Sequence, residues 1–227
     1  MAASGRMQGN SLTIGGQGNQ YYFIDWQIAS QSTTNNTSTI NWQNYFHYQL
    51  ADAQLDNGDA TLGGALRWQN TGRVKNYAGT FTTRDHAITS GSFTVTHDAN
   101  GNFTIGVSGG IDVYQTGRSS GSASWALTQI TRITSLTYTN ITDVGFTINV
   151  TTSGTCDRLE FSTNNGSTYT ADIGDFTTKS FTVTGLASQT TFQVVTRVRN
   201  KADAQYVTSS ATNVTTNRQS YFLGLQM

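Results

Sequence analysis

Apolar and polar residues alternate through most of this chain of 227 residues, and no other feature of the sequence constrains the fold as strongly. Every second residue from Tyr22 to Ile28 is apolar, and a similar alternation runs from Ile40 to Leu50 with an interruption at Asn44. Successive side chains of a β-strand point to opposite faces, so a period of two predicts strands with one buried face. Further strand candidates lie at 62–68, 77–81, 93–97, 103–107, 111–114 and 122–127. Roughly eight strands over about 110 residues are typical of a β-sandwich or a jelly roll.

The amino-acid composition favours the same fold class. The chain has no proline, 23 glycines, 11% charged residues and 11% aromatic residues. Thr and aromatic residues favour strands, whereas Gly, Asn and Asp supply turns. With 13 basic and 13 acidic residues the formal net charge is zero, which gives no sign of the basic patches that nucleic acid or an anionic membrane surface requires. We therefore predict an all-β protein that binds no nucleic acid.

A second series of strands follows the segment 130–135. Alternation recurs at 146–150 and 192–198, and Asn164-Asn165-Gly166 predicts a hairpin turn because Asn and Gly tolerate positive φ. Six or seven strands in about 85 residues fit a small Greek-key sandwich. The predicted organisation is a loop or N-terminal arm (1–20), a jelly-roll-like β-sandwich (21–132), a smaller β-sandwich (133–217) and a C-terminal tail (218–227).

The stretch His97-Asp98-Ala99-Asn100-Gly101-Asn102 carries the densest group of potential ligands. Its Asp and Asn residues have the odd-position spacing of a calcium loop, but an EF-hand needs Gly and Glu where this chain has Phe103 and Gly109. A calcium ion in a turn of another type stays an open alternative. The preferred interpretation is a hairpin turn in which Asp98 caps its own turn and Asn100-Gly101 adopt positive φ. In this interpretation Phe93 and Val95 pair with Phe103 and Ile105.

A zinc site or another metal site is not predicted elsewhere. Zinc needs three or four clustered ligands, whereas the histidines are scattered and the single cysteine, Cys156, reads as a small buried strand residue. The histidines are His47, His86 and His97. We predict no metal, no cofactor and no disulfide.

Catalytic carboxylates are equally scarce. Glycoside hydrolysis usually needs two carboxyl groups about 5–10 Å apart, and Glu160 is the only glutamate. The aspartates Asp52, Asp56 and Asp59 fall in a predicted loop starting at Asp52. Asp85, His86 and Ser90 contain the residue types of a Ser/His/Asp catalytic set. The adjacent side chains of Asp85 and His86, however, would point to opposite faces of a strand. We predict that the protein is not an enzyme and has no catalytic residues, and keep a cell-wall polysaccharide-degrading enzyme as an alternative.

Aromatic side chains are the remaining candidates for function. Rings stack on sugars while amides and carboxylates bond hydroxyls. Trp26 and Trp42 have core parity. We therefore choose Tyr45, Trp68 and Tyr77 as candidate glycan or partner contacts. The apolar tail residues Tyr221, Phe222 and Leu223 are candidate assembly contacts.

The second sandwich resembles a fibronectin type III or Ig-like module. The stretch 185–194 (GLASQTTFQV) carries the Gly-Leu of that family, with Phe192 in place of its corner tyrosine and Ser188-Gln189 in place of Pro-Gly. The resemblance implies the fold and is nearly silent about function.

The first sandwich resembles the β-sandwich module of minor structural and tail-associated proteins of long-tailed bacteriophages. Three stretches in the family's order carry the resemblance: DWQIASQSTTNNTSTINW (25–42), GSFTVTHDANGNFTIGVSGGIDV (91–113) and WALTQITRITSL (125–136), with Thr131 where the family has proline. It implies a virion protein that is tail-associated, forms a homo-oligomer, contacts other virion proteins and adheres to the host surface, with host-surface carbohydrate as a candidate ligand. A capsid decoration or head-fibre protein is the alternative. Residues 1–7 lack the apolar core of a signal peptide and no apolar run spans a membrane, so we expect synthesis in the host cytoplasm and release in the virion.

Overall fold

A computed structural model describes residues 2–14, 17–48, 53–77, 84–201 and 204–219. The chain forms two compact units. The first comprises Met1–Ser32, Thr37–Asp98 and Asn102–Gln129, and the second comprises Thr33–Asn36, Ala99–Gly101 and Ile130–Met227. The part of the chain that the structure describes contains no helix long and apolar enough to cross a lipid bilayer.

Two antiparallel sheets make up the first unit. Its strands are β1 (Ser4–Gln8), β2 (Leu12–Ile14), β3 (Gln17–Ser32), β4 (Thr37–Tyr48), β5 (Ala53–Leu62), β6 (Ala65–Asn70), β7 (Lys75–Tyr77), β8 (Arg84–Thr96), β9 (Thr104–Val113) and β10 (Gly117–Ala126). One sheet has the order β1-β3-β4-β8, with β2 paired to β3, and the other has the order β10-β9-β5-β6, with β7 paired to β5.

A single hydrophobic core lies between the two sheets. It combines buried residues of the first sheet, such as Ile24 and Ile40, with buried residues of the second, such as Leu62 and Ile111. Trp26 and Trp42 belong to this core, as their parity predicts. The prediction of an all-β fold with a β-sandwich is confirmed.

The polar residue that interrupts the alternation of β4 is part of this interior. Asn44 is fully buried, and its amide donates to the Tyr22 hydroxyl at 3.0 Å and accepts from the Thr89 amide at 2.8 Å. The Tyr22 hydroxyl in turn donates to the Asp59 carbonyl on the opposite sheet at 3.2 Å. Burial raises the pKa of Tyr22, and the hydrogen bond from Asn44 offsets only part of this. A buried polar group is tolerated when it is hydrogen-bonded, which explains why Asn44 does not break the strand.

The N-terminal residues are not the loop or arm that their polar composition predicted. Strand β1 pairs with β3 along its whole length, from Ser4 opposite Gln27 to Gln8 opposite Phe23. Met7 is 1% exposed and lies in the core. β1 therefore forms part of the sandwich.

The segment that follows Asp52 also differs from its predicted loop, and Asp52 itself lies outside the described residues. β5 occupies Ala53–Leu62, so Asp56 and Asp59 lie in a strand, and the predicted strand 62–68 is instead a hairpin that turns at Gly63 and Gly64. A register shift between Leu55 and Gly58 in the pairing with β9 changes the parity of the buried residues within β5. Such a bulge removes the period of two on which the sequence prediction depends.

The turn at His97–Asn102 is present, but the predicted hairpin pairing is wrong. β8 pairs with β4, whereas β9 pairs with β5 and β10, so this turn carries the chain from one sheet to the other. The turn chemistry follows the prediction in part: the Asn102 amide donates to Asp98 Oδ1 at 2.8 Å, and Gly101 has φ +79°. Asn100 is not among the residues with positive φ.

The second unit is a smaller β-sandwich. Its strands are β11 (Ile133–Thr139), β12 (Phe146–Ser162), β13 (Thr170–Val183), β14 (Thr191–Asn200), β15 (Tyr206–Thr208) and β16 (Thr212–Thr215). The first half of β12 lies between β11 and the second half of β13, and its second half lies between the first half of β13 and β14. Phe146 and Phe161, from the two halves of β12, share one hydrophobic cluster. The two halves of β12 therefore belong to two layers that share this cluster, as in the predicted fibronectin III-like or Ig-like sandwich.

Two local predictions for this unit are confirmed. β12 and β13 form a hairpin, and Asn165 and Gly166 in its turn have φ of +55° and +82°. Cys156 is a fully buried residue of β12.

The single glutamate, Glu160, is 5% exposed and anchors a charged cluster on the second unit. Its carboxylate accepts hydrogen bonds from Arg197 Nε at 2.5 Å, from the Tyr206 hydroxyl at 3.0 Å and from Arg158 at 3.3 Å. The Arg197 guanidinium lies 3.7 Å from the ring centroid of Tyr169 and 4.5 Å from that of Tyr206. Burial acts to raise the pKa of Glu160, but the hydrogen bonds from Arg197 and Tyr206 and the charge of Arg197 outweigh it, so this pKa is lowered.

We expect the second unit to lose stability in acid because of this cluster. A lowered folded-state pKa contributes stability that is complete above the unfolded value of about 4.3 and is lost as pH falls through the folded value. Glu160→Gln should therefore reduce the loss of protection of the β12 and β14 amides between pH 6 and pH 3, measured by hydrogen exchange of the full chain. Arg197→Met, which leaves the carboxylate buried without its main partner, should cost about 3 kcal/mol at neutral pH. An equal acid response in wild type and Glu160→Gln would contradict this assignment.

Candidate binding groove

A depression of about 860 Å³ crosses the outward face of the β1-β3-β4-β8 sheet. Its shape follows from the strand register. The middle row consists of Gly5, Trp26, Trp42 and Gly91, which lie side by side on the four strands. The two tryptophan side chains of this row point into the core, and the two glycines have none. The groove therefore has a floor of backbone, and its walls are the side chains of the rows on either side. Four adjacent strands give it a length of about 14 Å.

Two glycines make room for the tryptophan rings beneath this floor. A methyl group at Gly5 would lie 2.8 Å from Trp26 Nε1, and one at Gly91 would lie 2.9 Å from Trp42 Nε1. The indole of each tryptophan therefore fills the space beneath the adjacent glycine, and the large rings support the groove from inside without lining it as stacking surfaces.

One wall of the groove holds an ion pair. Arg6 Nε and Nη2 donate to Asp25 Oδ1 and Oδ2 at 2.6 Å and 2.7 Å, and the guanidinium lies 4.0 Å from the centroid of the Phe23 ring. The hydrogen bond to Asp25 raises the pKa of Arg6 despite partial burial. A bidentate pair fixes the orientation of both groups.

The same wall continues in an aromatic pair. Tyr45 stacks on Phe23 with centroids 4.7 Å apart and an interplanar angle of 12°, and its hydroxyl donates to Gln43 Oε1 at 2.8 Å. Phe23 is fully buried although it lies on the outward face, because Arg6 and Tyr45 cover it. Tyr45 is half-buried and lines the groove.

Small polar groups complete the walls. Ser4, Gln27 and Asn41 are exposed and lie opposite one another on β1, β3 and β4, and Gln43 and Ser90 lie in the row of Asp25. Amides offer both donors and acceptors, and hydroxyls offer one donor and two acceptor lone pairs. The groove can therefore hydrogen-bond to a ligand rich in hydroxyl groups.

The structure separates the two predicted contact residues whose side chains it describes, Tyr45 and Trp68. Tyr45 lines the groove, whereas Trp68 lies on the other sheet and packs partly against the core and against Gly58. The backbone of Tyr77 ends β7, but its side chain lies outside the described residues, as do Tyr221, Phe222 and Leu223. Sequence reasoning did not single out the polar residues of the walls. Their signal is the outward parity of β3 and β4, where Asp25, Gln27 and Gln43 alternate with core residues.

The other chemical candidates are engaged in structural contacts. Asp85 Oδ1 lies 2.6 Å from His47 Nδ1, and His47 stacks on Tyr21. Asp59 and Asp112 both pair with Arg118. His97 is buried, with Nε2 2.7 Å from the Ser38 hydroxyl. Among the described residues no three His, Cys, Asp or Glu side chains cluster as metal ligands.

Comparison with known proteins gives little further guidance. The sequence matches no protein-family model and no curated protein. Among solved structures, the FN1-FN3 domains of chicken CNTN1 are similar with 10% identity and a TM-score of 0.31, over 87% of this chain and 78% of that one. A calcium binding mutant of Bacteroides uniformis beta-glucuronidase 2 is similar with 10% identity and a TM-score of 0.26, over 86% of this chain and 26% of that one. Neither similarity bears on the function of this chain.

Proposed function

We propose that the first unit binds host-surface glycan in the groove and that the protein is a non-enzymatic, tail-associated component of a bacteriophage virion. The observation that carries the glycan assignment is the groove itself, with amides and hydroxyls along both walls and the Tyr45 ring beside them. Sugars present hydroxyl groups at their edges and C–H groups on their faces, so amides with an adjacent ring match both.

The rigidity of the site supports binding. The groove residues lie on four paired strands rather than on loops. The bidentate hydrogen bonds with Asp25 orient the Arg6 guanidinium, and stacking on Phe23 orients the Tyr45 ring. A preorganised site loses less conformational entropy when a ligand binds.

The carboxyl content of the groove favours binding over hydrolysis. Asp25 is the one carboxyl group among the described residues that line it, and Arg6 holds both of its oxygens. Glycosidases generally use two carboxyl groups flanking the scissile bond.

The virion assignment depends on the resemblance of residues 25–136 to phage tail-associated modules. Antibody labelling of intact particles in electron microscopy should place the protein on the tail. Label on the capsid surface would favour the decoration or head-fibre alternative.

We expect the double variant Gln27→Ala, Asn41→Ala to bind surface polysaccharide of the host at least tenfold less tightly than wild type. Loss of two sets of ligand hydrogen bonds at about 1 kcal/mol each predicts this effect. Affinity is measured by calorimetry, and reducing ends are counted in the same samples. The control variant Thr94→Ala removes a polar side chain from the exposed face of β8 outside the groove. Release of new reducing ends by the wild type would instead support the enzyme alternative.

A further inference from the structure

Charged side chains in the groove are few and balanced. Of the described residues that line it, Arg6 and Asp25 are the two that carry charge, and they pair with each other. Their side chains are 46% and 37% exposed, so a ligand can reach both. The groove therefore presents a dipole and no net charge.

Arg6, the cation of this pair, already contacts Asp25 and the Phe23 ring. Two nitrogens of Arg6 donate to the two oxygens of Asp25, and one face of the guanidinium lies against the Phe23 ring. An anionic ligand that approached Arg6 would also meet the Asp25 carboxylate beside it. Like charges at such distances repel, and the repulsion is strongest where water is displaced.

Among the described residues that line the groove, Arg6 is the one cation. On the same face, in the row beyond Tyr45, Asp85 pairs with His47, and Asp85 lies close enough to act electrostatically on Arg6. The remaining groups in the walls are neutral amides and hydroxyls.

We propose that the groove selects neutral glycans and rejects their acidic counterparts, such as uronic acids. This inference rests on the proposed glycan-binding function and names the class of glycan. Arg6 and Asp25 then act together as a neutral hydrogen-bonding template: the unused guanidinium N–H groups donate to sugar hydroxyls, and the unused carboxylate lone pairs accept from them.

The test compares sugars that differ only in charge. The chain of 227 residues is applied to a glycan array that holds matched pairs of a neutral oligosaccharide and the corresponding oligouronic acid, and affinities are then measured in solution. The wild type should bind the neutral member at least tenfold more tightly. Asp25→Asn, which leaves Arg6 without its counter-charge, should narrow or reverse this preference, and added salt should weaken the new binding of the acid.

A double variant that again has no net charge in the groove separates selectivity from folding. Arg6→Gln combined with Asp25→Asn removes both charges and should return the preference to neutral sugars, and the thermal unfolding of each variant reports its stability. Wild type that binds the acidic member as tightly as the neutral one, with binding still dependent on Tyr45, would overturn the selectivity and leave the glycan-binding function standing. Failure of the wild type to bind any sugar on the array would overturn both.

Discussion

Deletion of residues 1–10 is expected to unfold the first unit while the second unit keeps its structure. Besides the ladder with β3, the segment ties to the second sheet: the Ala2 amide donates to the Ala126 carbonyl at 2.9 Å, and the Asn10 amide donates to the Ser120 carbonyl at 3.1 Å. Met7 fills the core, and its loss alone costs about 2–5 kcal/mol. Since a domain of this size is stable by about 5–15 kcal/mol, removal of the whole strand leaves little net stability.

The distribution of tryptophan makes this prediction easy to measure. All four tryptophans lie in the first unit, so their fluorescence reports its unfolding in urea separately from that of the second unit. Met7→Ala should lower the midpoint clearly, whereas Gln8→Ala, an exposed neighbour in the same strand, should leave it nearly unchanged. A truncated chain with the fluorescence transition of the wild type would show that β1 is dispensable.

The alternation of residues predicts strands well and their partners poorly. The parity of β3 and β4 correctly places Trp26 and Trp42 inside. The run 93–105 has the same local pattern as a hairpin, yet its two strands belong to different sheets. Both arrangements bury Phe93 and Ile105, so the period of two cannot distinguish them.

Segments with few apolar residues are the other source of error. β1 offers one core residue, Met7, among polar neighbours, and its pairing is decided by β3, which follows it at a distance of about ten residues. β5 contains Asp56-Asn57-Gly58, which reads locally as a turn. In both segments long-range pairing overrides local propensity.

The groove could be predicted only in part. Tyr45 was recognisable as an aromatic residue on the polar face of its strand. Its position beside Arg6 and Asp25 depends on the pairing of β1 with β3, and the floor of the groove depends on the pairing that places Gly5 and Gly91 in one row with two tryptophans. These relations join residues far apart in sequence, so they follow from the topology.

Tyr45→Ala is expected to weaken glycan binding about tenfold or more, which corresponds to about 1.4 kcal/mol. In the proposed site the Tyr45 ring, which lines the groove, is the surface on which a sugar stacks. An aromatic contact of this kind contributes about 0.5–1.5 kcal/mol beyond the area that it buries. Tyr45→Phe keeps the ring and loses only the hydrogen bond to Gln43, so it should retain most of the affinity.

Trp68→Ala is the matched comparison because Trp68 is equally aromatic and partly exposed. It lies on the opposite sheet and packs against Gly58 and the core, so the variant should lose about 2 kcal/mol of stability and bind glycan as the wild type does. Calorimetric titration with the polysaccharide and urea unfolding of the same samples separate the two effects. Loss of binding in Trp68→Ala with full binding in Tyr45→Ala would move the site to the opposite sheet, because a ring contributes to affinity only on the face that the ligand covers.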